Sequence, residues 1–230
     1  MIFSDLFSVI YPHYCLNCGC ILGRNESFLC FACRGNLPET TLHLQKENRI
    51  IKRFYGQCDL TCATALFYFH KNSAVQHLIH ELKYKGKEEI GQWLGKWLGE
   101  KIKTVNEFQK TDVVIPVPLH KEKLKKRGYN QVARFAQELA RILQATYLDD
   151  VLIKIKTNST QTKKDVWRRF NDSKNIFSIQ NQKKIENKNI LLVDDIITTG
   201  STIESCYNQL TKAPNTKIGI ASMAYSLLNH

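Results

Sequence analysis

The sequence has no unbroken apolar run of the ~18 residues that a membrane-spanning helix needs, although 43% of its 230 residues are hydrophobic. Membrane insertion is therefore not expected. The start of the chain, Met1 to Phe7, carries Asp5 where a secretory signal would carry basic residues. Ile2, Phe3, Leu6, Phe7 and Ile10 fall at helical spacing, so an amphipathic segment and a cytoplasmic location are expected. The phosphate signatures G-x-x-x-x-G-K-[ST] and G-x-G-x-x-G are both missing, which argues against nucleotide hydrolysis and dinucleotide-dependent redox chemistry. The stretch His80-Glu81-Leu82-Lys83-Tyr84 lacks the second histidine of a zinc-protease helix, so His77 and His80 read as surface residues. There are no internal repeats and no low-complexity tract. Acidic residues are scarce, 21 against 33 lysines and arginines, and the formal net charge is +12.

That excess permits binding of phosphates, nucleic acid or anionic surfaces. A lysine-rich surface with no specific partner explains it equally well. The length suits one ordinary domain plus a small module. Composition divides the chain near residue 40, into a cysteine-rich module over 1–40 and a domain over 41–230. In the domain, strand-like and helix-like patterns alternate. Residues 63–69 read as a strand, followed by a helix capped by Ser73, with Gln76 completing a capping box and Val75, Leu78, Ile79 and Leu82 inward. A second helix turns Ile90, Trp93, Leu94, Trp97, Leu98 and Ile102 to one face. Residues 112–117 form a short strand that leads into a basic loop, and 130–143 form a helix. Residues 151–155 and 217–225 read as strands, 156–174 as a polar basic loop. Alternation of this kind predicts an α/β fold, a parallel sheet flanked by helices.

The most informative stretch runs from Ile190 to Thr202. Ile190-Leu191-Leu192-Val193 is a buried strand, expected to end at the adjacent carboxylates Asp194 and Asp195. Ile196-Ile197-Thr198-Thr199-Gly200-Ser201-Thr202 then turns into a helix over 201–210. Ligands of open parallel sheets bind beyond the carboxyl ends of the strands, where this loop lies. The first turn of the helix leaves N–H donors free, the helix dipole favours an anion, and Gly200 lets the backbone approach a phosphate. Two carboxylates beside a bare anion would repel it. They fit a ligand that also carries hydroxyls and a divalent metal. An ordinary strand-to-helix turn with an acidic cap seldom has two acids and four hydroxyls around one glycine.

Cys15-Leu16-Asn17-Cys18 and Cys30-Phe31-Ala32-Cys33 have the spacing of a structural zinc site. Four thiolates at Cys15, Cys18, Cys30 and Cys33 close a tetrahedral sphere and fold a module without a core of its own. Cys20 is a possible substitute, but it sits too near Cys18 to replace either pair neatly. Cys58 and Cys62 read as core or loop thiols and Cys206 as a buried one.

The Ile190–Thr202 stretch resembles the 5-phosphoribosyl-1-diphosphate (PRPP) signature of type I phosphoribosyltransferases. The resemblance implies that Asp194 and Asp195 hold the ribose hydroxyls and the Mg²⁺ shell, and that Thr198 to Thr202 cradle the 5′-phosphate, with Ile197 also counted among the binding residues. It also implies a second loop for the diphosphate, matched here by Val117, Pro118, Leu119 and His120. Taken with Arg127-Gly128-Tyr129-Asn130-Gln131, Thr160-Gln161-Thr162 and the paired cysteines, the whole chain is similar to the ComF family of competence-associated phosphoribosyltransferase-like proteins. That family's loop after Thr-Gln-Thr carries an arginine and, three residues on, an asparagine. Arg169 matches the first, but Asp172 stands in the second place with Asn171 one position early. A solvated connector is an equal alternative for this loop.

Displacing diphosphate from the ribose anomeric carbon needs little covalent help, so the lack of an obvious nucleophile does not argue against transfer. No element that would recognise a nucleobase acceptor stands out. Basic residues cluster at 121–127 and again at Lys154, Lys156, Lys163, Lys164, Arg168 and Arg169, near the presumed ligand face. They suit single-stranded DNA, with Tyr129, Trp167 and Phe170 as stacking surfaces. Three functions follow: a phosphoribosyltransferase, a PRPP-responsive DNA-binding protein in competence, or a zinc-module adaptor for DNA-uptake proteins.

Overall fold

The structure, a computed structural model, describes residues 13–155 and 176–227. Its elements in chain order are α1 (Phe31–Gly35), α2 (Arg49–Arg53), β1 (Leu60–Phe69), α3 (Ala74–Tyr84), α4 (Glu89–Ile102), α5 (Asn106–Gln109), β2 (Val113–Pro116) and α6 (Lys121–Arg127). There follow α7 (Ala133–Leu143), β3 (Thr146–Tyr147), β4 (Leu152–Lys154), β5 (Phe177–Ile179), β6 (Asn189–Ile197), α8 (Ser201–Leu210) and β7 (Lys217–Ser226). The amphipathic segment expected before residue 13 and the loop at 156–174, with Arg169, lie outside the described residues.

Five strands form one sheet in the order β1-β7-β6-β2-β3, and every neighbouring pair is parallel. Both faces are covered, as a parallel sheet requires. On one face Leu191, Val193 and Met223 pack with α3, α4 and α7 through Leu78, Leu94, Phe135 and Leu139. On the other, Ile190, Leu192 and Ile220 pack with α2 and α8 through Ile50, Phe54, Ile203 and Leu210. The alternation of Ile190, Leu191, Leu192 and Val193 between the two clusters follows from the two-residue repeat of a strand.

Ser73 caps α3 as its sequence directs, its Oγ accepting from Gln76 N–H at 3.3 Å, while Gln76 Oε1 reaches one residue further back and accepts from Asn72 N–H at 2.5 Å. Helices α4 and α7 approach closely enough that a Cβ on Gly95 would meet the Phe135 carbonyl oxygen at 2.8 Å.

Three expectations change. The basic stretch after β2 is a helix, α6, capped by His120 Nδ1 at its start and by Gly128 in the left-handed region at its end. Strand β4 stays out of the parallel sheet and pairs antiparallel with β5. Strand β6 does not stop at Val193; pairing with β7 continues to Ile197↔Tyr225, because β7 supplies a partner along its whole length. The acidic pair therefore stands within a strand.

The cysteine-rich stretch packs against α4. Leu29 and Leu37 are buried in the cluster that holds α4. Arg34 lies over Trp97 at 4.7 Å from the ring centroid, and Phe28 meets Trp93 edge-on at 5.6 Å. Trp93 and Trp97, two positions of the apolar stripe of α4, face this module.

Candidate functional site

Because Asp194 and Asp195 are consecutive strand residues, their side chains leave the sheet on opposite faces. Asp195 points toward α3 and α7. Its Oδ2 accepts from Gln131 Nε2 at 2.6 Å and pairs with Lys83 Nζ at 2.9 Å. Asp194 turns to the face of α8 and β4. Burial, then the Asp195 charge, hold its carboxyl well above the usual carboxylate range. The Asp195 N–H, bonded to Asp194 Oδ1 at 2.8 Å, and the fields of Lys83 and Lys154 only partly offset this. Both carboxylates are 8% exposed.

The loop that follows is open to solvent at Thr198, Thr199 and Ser201. Gly200 has φ +88° and caps α8 without a side-chain hydrogen bond. A Cβ there would lie 2.7 Å from Phe54 Cε1, so two requirements, the left-handed backbone and the space, both select glycine. Thr199 Oγ1 and Ser201 Oγ stand 3.2 Å apart. The Ser201 N–H reaches Thr199 Oγ1 at 3.5 Å, and the first turn of α8 lies at the same space, where a helix leaves N–H groups that it cannot satisfy itself. Hydroxyls and the positive end of a helix converge on one small volume, an arrangement whose chemistry suits a phosphate.

Residue 117 begins the second expected loop beside these carboxylates: Val117 N–H donates to Val193 carbonyl at 2.8 Å. Asn130 Nδ2 holds the Val117 carbonyl at 3.0 Å, which ties the Tyr129-Asn130-Gln131 stretch to the loop. A cavity of about 340 Å³ opens there, lined among others by Pro118, Leu119, Asn130 and Lys154. His120 contributes as a helix cap.

Two residues that drew no attention in the sequence complete the site. Arg53 Nε donates to the Thr199 carbonyl at 3.1 Å, and Phe54 packs on Gly200. They come from α2, far back in the chain, and no local pattern marks them. Lys83 is the third such residue, in a helix whose pattern marks only its inward apolar residues.

Three of the four thiols named by spacing gather, with Cys20 rather than Cys33 as the fourth of the tight group. Cys15, Cys18, Cys20 and Cys30 place their sulfurs within 4.8 Å of one another. Cys20 thus joins a group from which its closeness to Cys18 had set it aside, because Gly19, at φ +73°, turns the chain back and the Cys15 N–H bonds the Cys20 carbonyl at 2.8 Å. Cys33 sits at the edge of this group, its N–H on Cys30 Sγ at 3.5 Å and its sulfur accepting from Asn17 Nδ2 at 3.3 Å. Sulfurs of a zinc tetrahedron lie about 3.8 Å apart; Cys18 and Cys30 are at 3.7 Å. None of these thiols is in a disulfide. The Cys15 thiol, raised by burial, is brought down to about 6 by the N–H groups of residues 17, 18 and 30, which favours the thiolate a metal takes. The donor set fits zinc.

Among the described residues no helix is long and apolar enough to cross a membrane. The phosphoribosyl transferase domain family matches residues 129–229. Competence protein F of Haemophilus influenzae is 26% identical over 219 residues, which cover 91% of this chain and 96% of that protein. DNA utilization protein YhgH of Shigella flexneri is 29% identical over 183 residues, covering 78% and 76%. Competence protein ComFC of Bacillus subtilis is 25% identical over 194 residues, again 78% and 76%.

Proposed function

We propose that this chain, a homologue of competence protein F, ComFC and YhgH with the type I phosphoribosyltransferase fold, binds PRPP with Mg²⁺ at Asp194–Thr202 and acts in DNA uptake. The observation that carries this reading is the juxtaposition of two buried carboxylates with an exposed hydroxyl-rich helix start whose glycine has no room for a side chain.

In this reading Ile197 to Thr202 take the 5′-phosphate, and Asp194 and Asp195 take the ribose hydroxyls and the metal. The loop at Val117, Pro118 and Leu119 takes the diphosphate, with Arg169 closing over it from outside the described residues. Mg²⁺, bound with PRPP, supplies positive charge to the departing diphosphate. The protein's own part is to hold the ribose and both phosphate groups in one orientation and to keep the donors fixed. Lys83 and Gln131 hold Asp195 in place for that task.

The cysteine cluster is proposed to hold one structural zinc, with Cys15, Cys18, Cys30 and Cys33 as the ligands named by spacing and Cys20 in reach. The division into a 1–40 module and a 41–230 domain, and a cytoplasmic location, belong to the same proposal.

A second reading is favoured by α6, in which Lys121, Lys123, Lys125, Lys126 and Arg127 are gathered without one buried residue. Here the chain is a PRPP-responsive single-stranded DNA-binding or adaptor protein without turnover. DNA affinity that falls with salt at a slope of about −0.7 per phosphate, without PRPP consumption, would favour it.

Thermal denaturation tests the shared claim. A ligand at about 100 times its Kd stabilises by about 2.7 kcal/mol. PRPP with Mg²⁺ should raise the melting temperature of wild type and leave Asp195→Asn unchanged. No rise in wild type, or an equal rise in both, would refute it.

A further inference from the structure

Beside the carboxylate pair lies a second cavity, of about 360 Å³, whose walls include Lys83, Tyr84, Lys123, Lys126, Arg127 and Tyr129. Lys83 and Tyr84 come from the last turn of α3, Lys123 to Arg127 from α6, and Tyr129 from the turn after it. Four cations line it and no acidic side chain does.

Gathering four positive charges costs repulsion unless something offsets it. The C-termini of α3 and α6 lie at the cavity, but each supplies only about half a negative charge. Asp195 pairs with Lys83 at 2.9 Å. Among the described residues no carboxylate is paired with Lys123 or Lys126. A positive surplus therefore remains, facing a half-open cleft lined by Tyr84 and Tyr129.

The Tyr129 and Arg127 side of the cavity is fixed. The Tyr129 hydroxyl donates to the Leu82 carbonyl, and the Arg127 guanidinium lies 5.5 Å from the centroid of the Tyr84 ring. The Arg127 guanidinium also donates to Gln131 Oε1, and Gln131 Nε2 donates to Asp195 Oδ2 at 2.6 Å. One chain of hydrogen bonds thus runs from the cavity wall to the carboxylate pair.

We propose that this cavity is a second anion-binding site, which takes a phosphate-bearing small molecule of nucleotide size beside the carboxylates. The volume lies in the range of about 300–1,000 Å³ typical of small-molecule sites. The lysines match a phosphate as point charges, and the tyrosine rings match a flat apolar group. The further role as acceptor site rests on the PRPP reading. In that role an acceptor heteroatom bonds ribose C1 as the C1–O bond to diphosphate breaks. Diphosphate leaves with the electron pair, and the acceptor's proton passes to water.

The test is calorimetric titration of the full chain with deoxyadenosine 5′-monophosphate, with PRPP and Mg²⁺ present at saturation. Lys123→Ala/Lys126→Ala is the variant, since both lysines are exposed and their loss leaves the fold intact. Wild type should bind the nucleotide, and the variant should bind it about tenfold or more weakly, while its affinity for PRPP stays within about threefold of wild type. Absence of nucleotide binding in wild type, or equal binding in both, overturns the proposal. Displacement of the nucleotide by PRPP, with both affinities falling together in the variant, also overturns it, because the cavity is then part of the PRPP site. Should PRPP itself not bind, a lysine-dependent nucleotide affinity still supports the anion site and removes only its acceptor role.

Discussion

Lys83 Nζ stands 2.9 Å from Asp195 Oδ2, on the second of the two adjacent acids. The pair joins the end of α3 to β6, and Gln131 from the start of α7 closes on the same oxygen. With side-chain exposures of 22% and 11%, it is neither a solvated surface contact nor fully enclosed. Breaking an enclosed pair costs ~3–5 kcal/mol and an exposed one ~0–1. Lys83→Met should therefore lower the unfolding free energy by about 1–2 kcal/mol, read by urea denaturation. Adding Asp195→Asn should recover part of that loss, since the uncompensated charge is then gone. Additive losses in the two single variants would mean that the contact contributes no coupling.

Asp194 is the destabilising member of the pair. Its carboxyl holds a proton more tightly in the folded chain than its ordinary value of 3.8 allows, first because of burial and then because of the Asp195 charge. As pH rises from about 4, the unfolded chain gives up this proton first, so the folded state binds more protons and stability falls. The fall continues until pH passes the raised folded value. Asp194→Asn removes the titrating group. It should be more stable than wild type by a few kcal/mol at pH 8, with the advantage shrinking toward zero near pH 4. Denaturation at both values measures it, and a gap independent of pH would contradict the sign.

Gly200→Ala meets two obstacles at once. The residue sits at φ +88°, and the new methyl group would approach Phe54 Cε1 to 2.7 Å. A left-handed non-glycine residue costs about 1–2 kcal/mol, and the ring must also move. The expected loss is about 2–3 kcal/mol of stability, together with weaker PRPP binding because the cradle opens. Unchanged stability in a urea melt would show that the loop is looser than its geometry.

Five sulfurs lie at the N-terminal cluster, one more than the four that a tetrahedral zinc would take. Cys20 lies in the tight group and Cys33 at its edge. Cys20→Ser and Cys33→Ser should each retain close to one zinc per chain by atomic emission, and the double variant should lose it. Cys18→Ser should release metal alone, because Cys18 lies 3.7 Å from Cys30 at the centre of the group. Zinc retained by the double variant would contradict this exchange.

The fold was largely legible because its signals are local. Ile190 to Val193 reads as a buried strand from four residues, and Ser73 with Gln76 marks the start of α3. The loop at Asp194–Thr202 stood out as a candidate for the same reason, since carboxylates, hydroxyls and glycine adjoin in the chain. What escaped notice depends on distance in sequence. Arg53 and Phe54 reach Thr199 and Gly200 across most of the chain, and Lys83 meets Asp195 only once α3 packs on the sheet. The extension of β6 past Val193 was hidden too: a carboxylate in a strand looks like the end of one until a partner such as β7 continues the pairing. The nearness of Cys20 to the other sulfurs was not legible in linear spacing, because the turn at Gly19 folds neighbours onto one centre.

Calorimetric titration of the zinc-loaded chain with PRPP and Mg²⁺, beside Asp194→Ala/Asp195→Ala, tests the proposed ligand most directly. Wild type should bind PRPP with Mg²⁺ at micromolar strength, about −8 kcal/mol, and the folded double variant should not bind. A folded wild-type protein that takes up no PRPP, or a double variant that binds as well as wild type, would contradict the assignment of Asp194–Thr202 as the PRPP site.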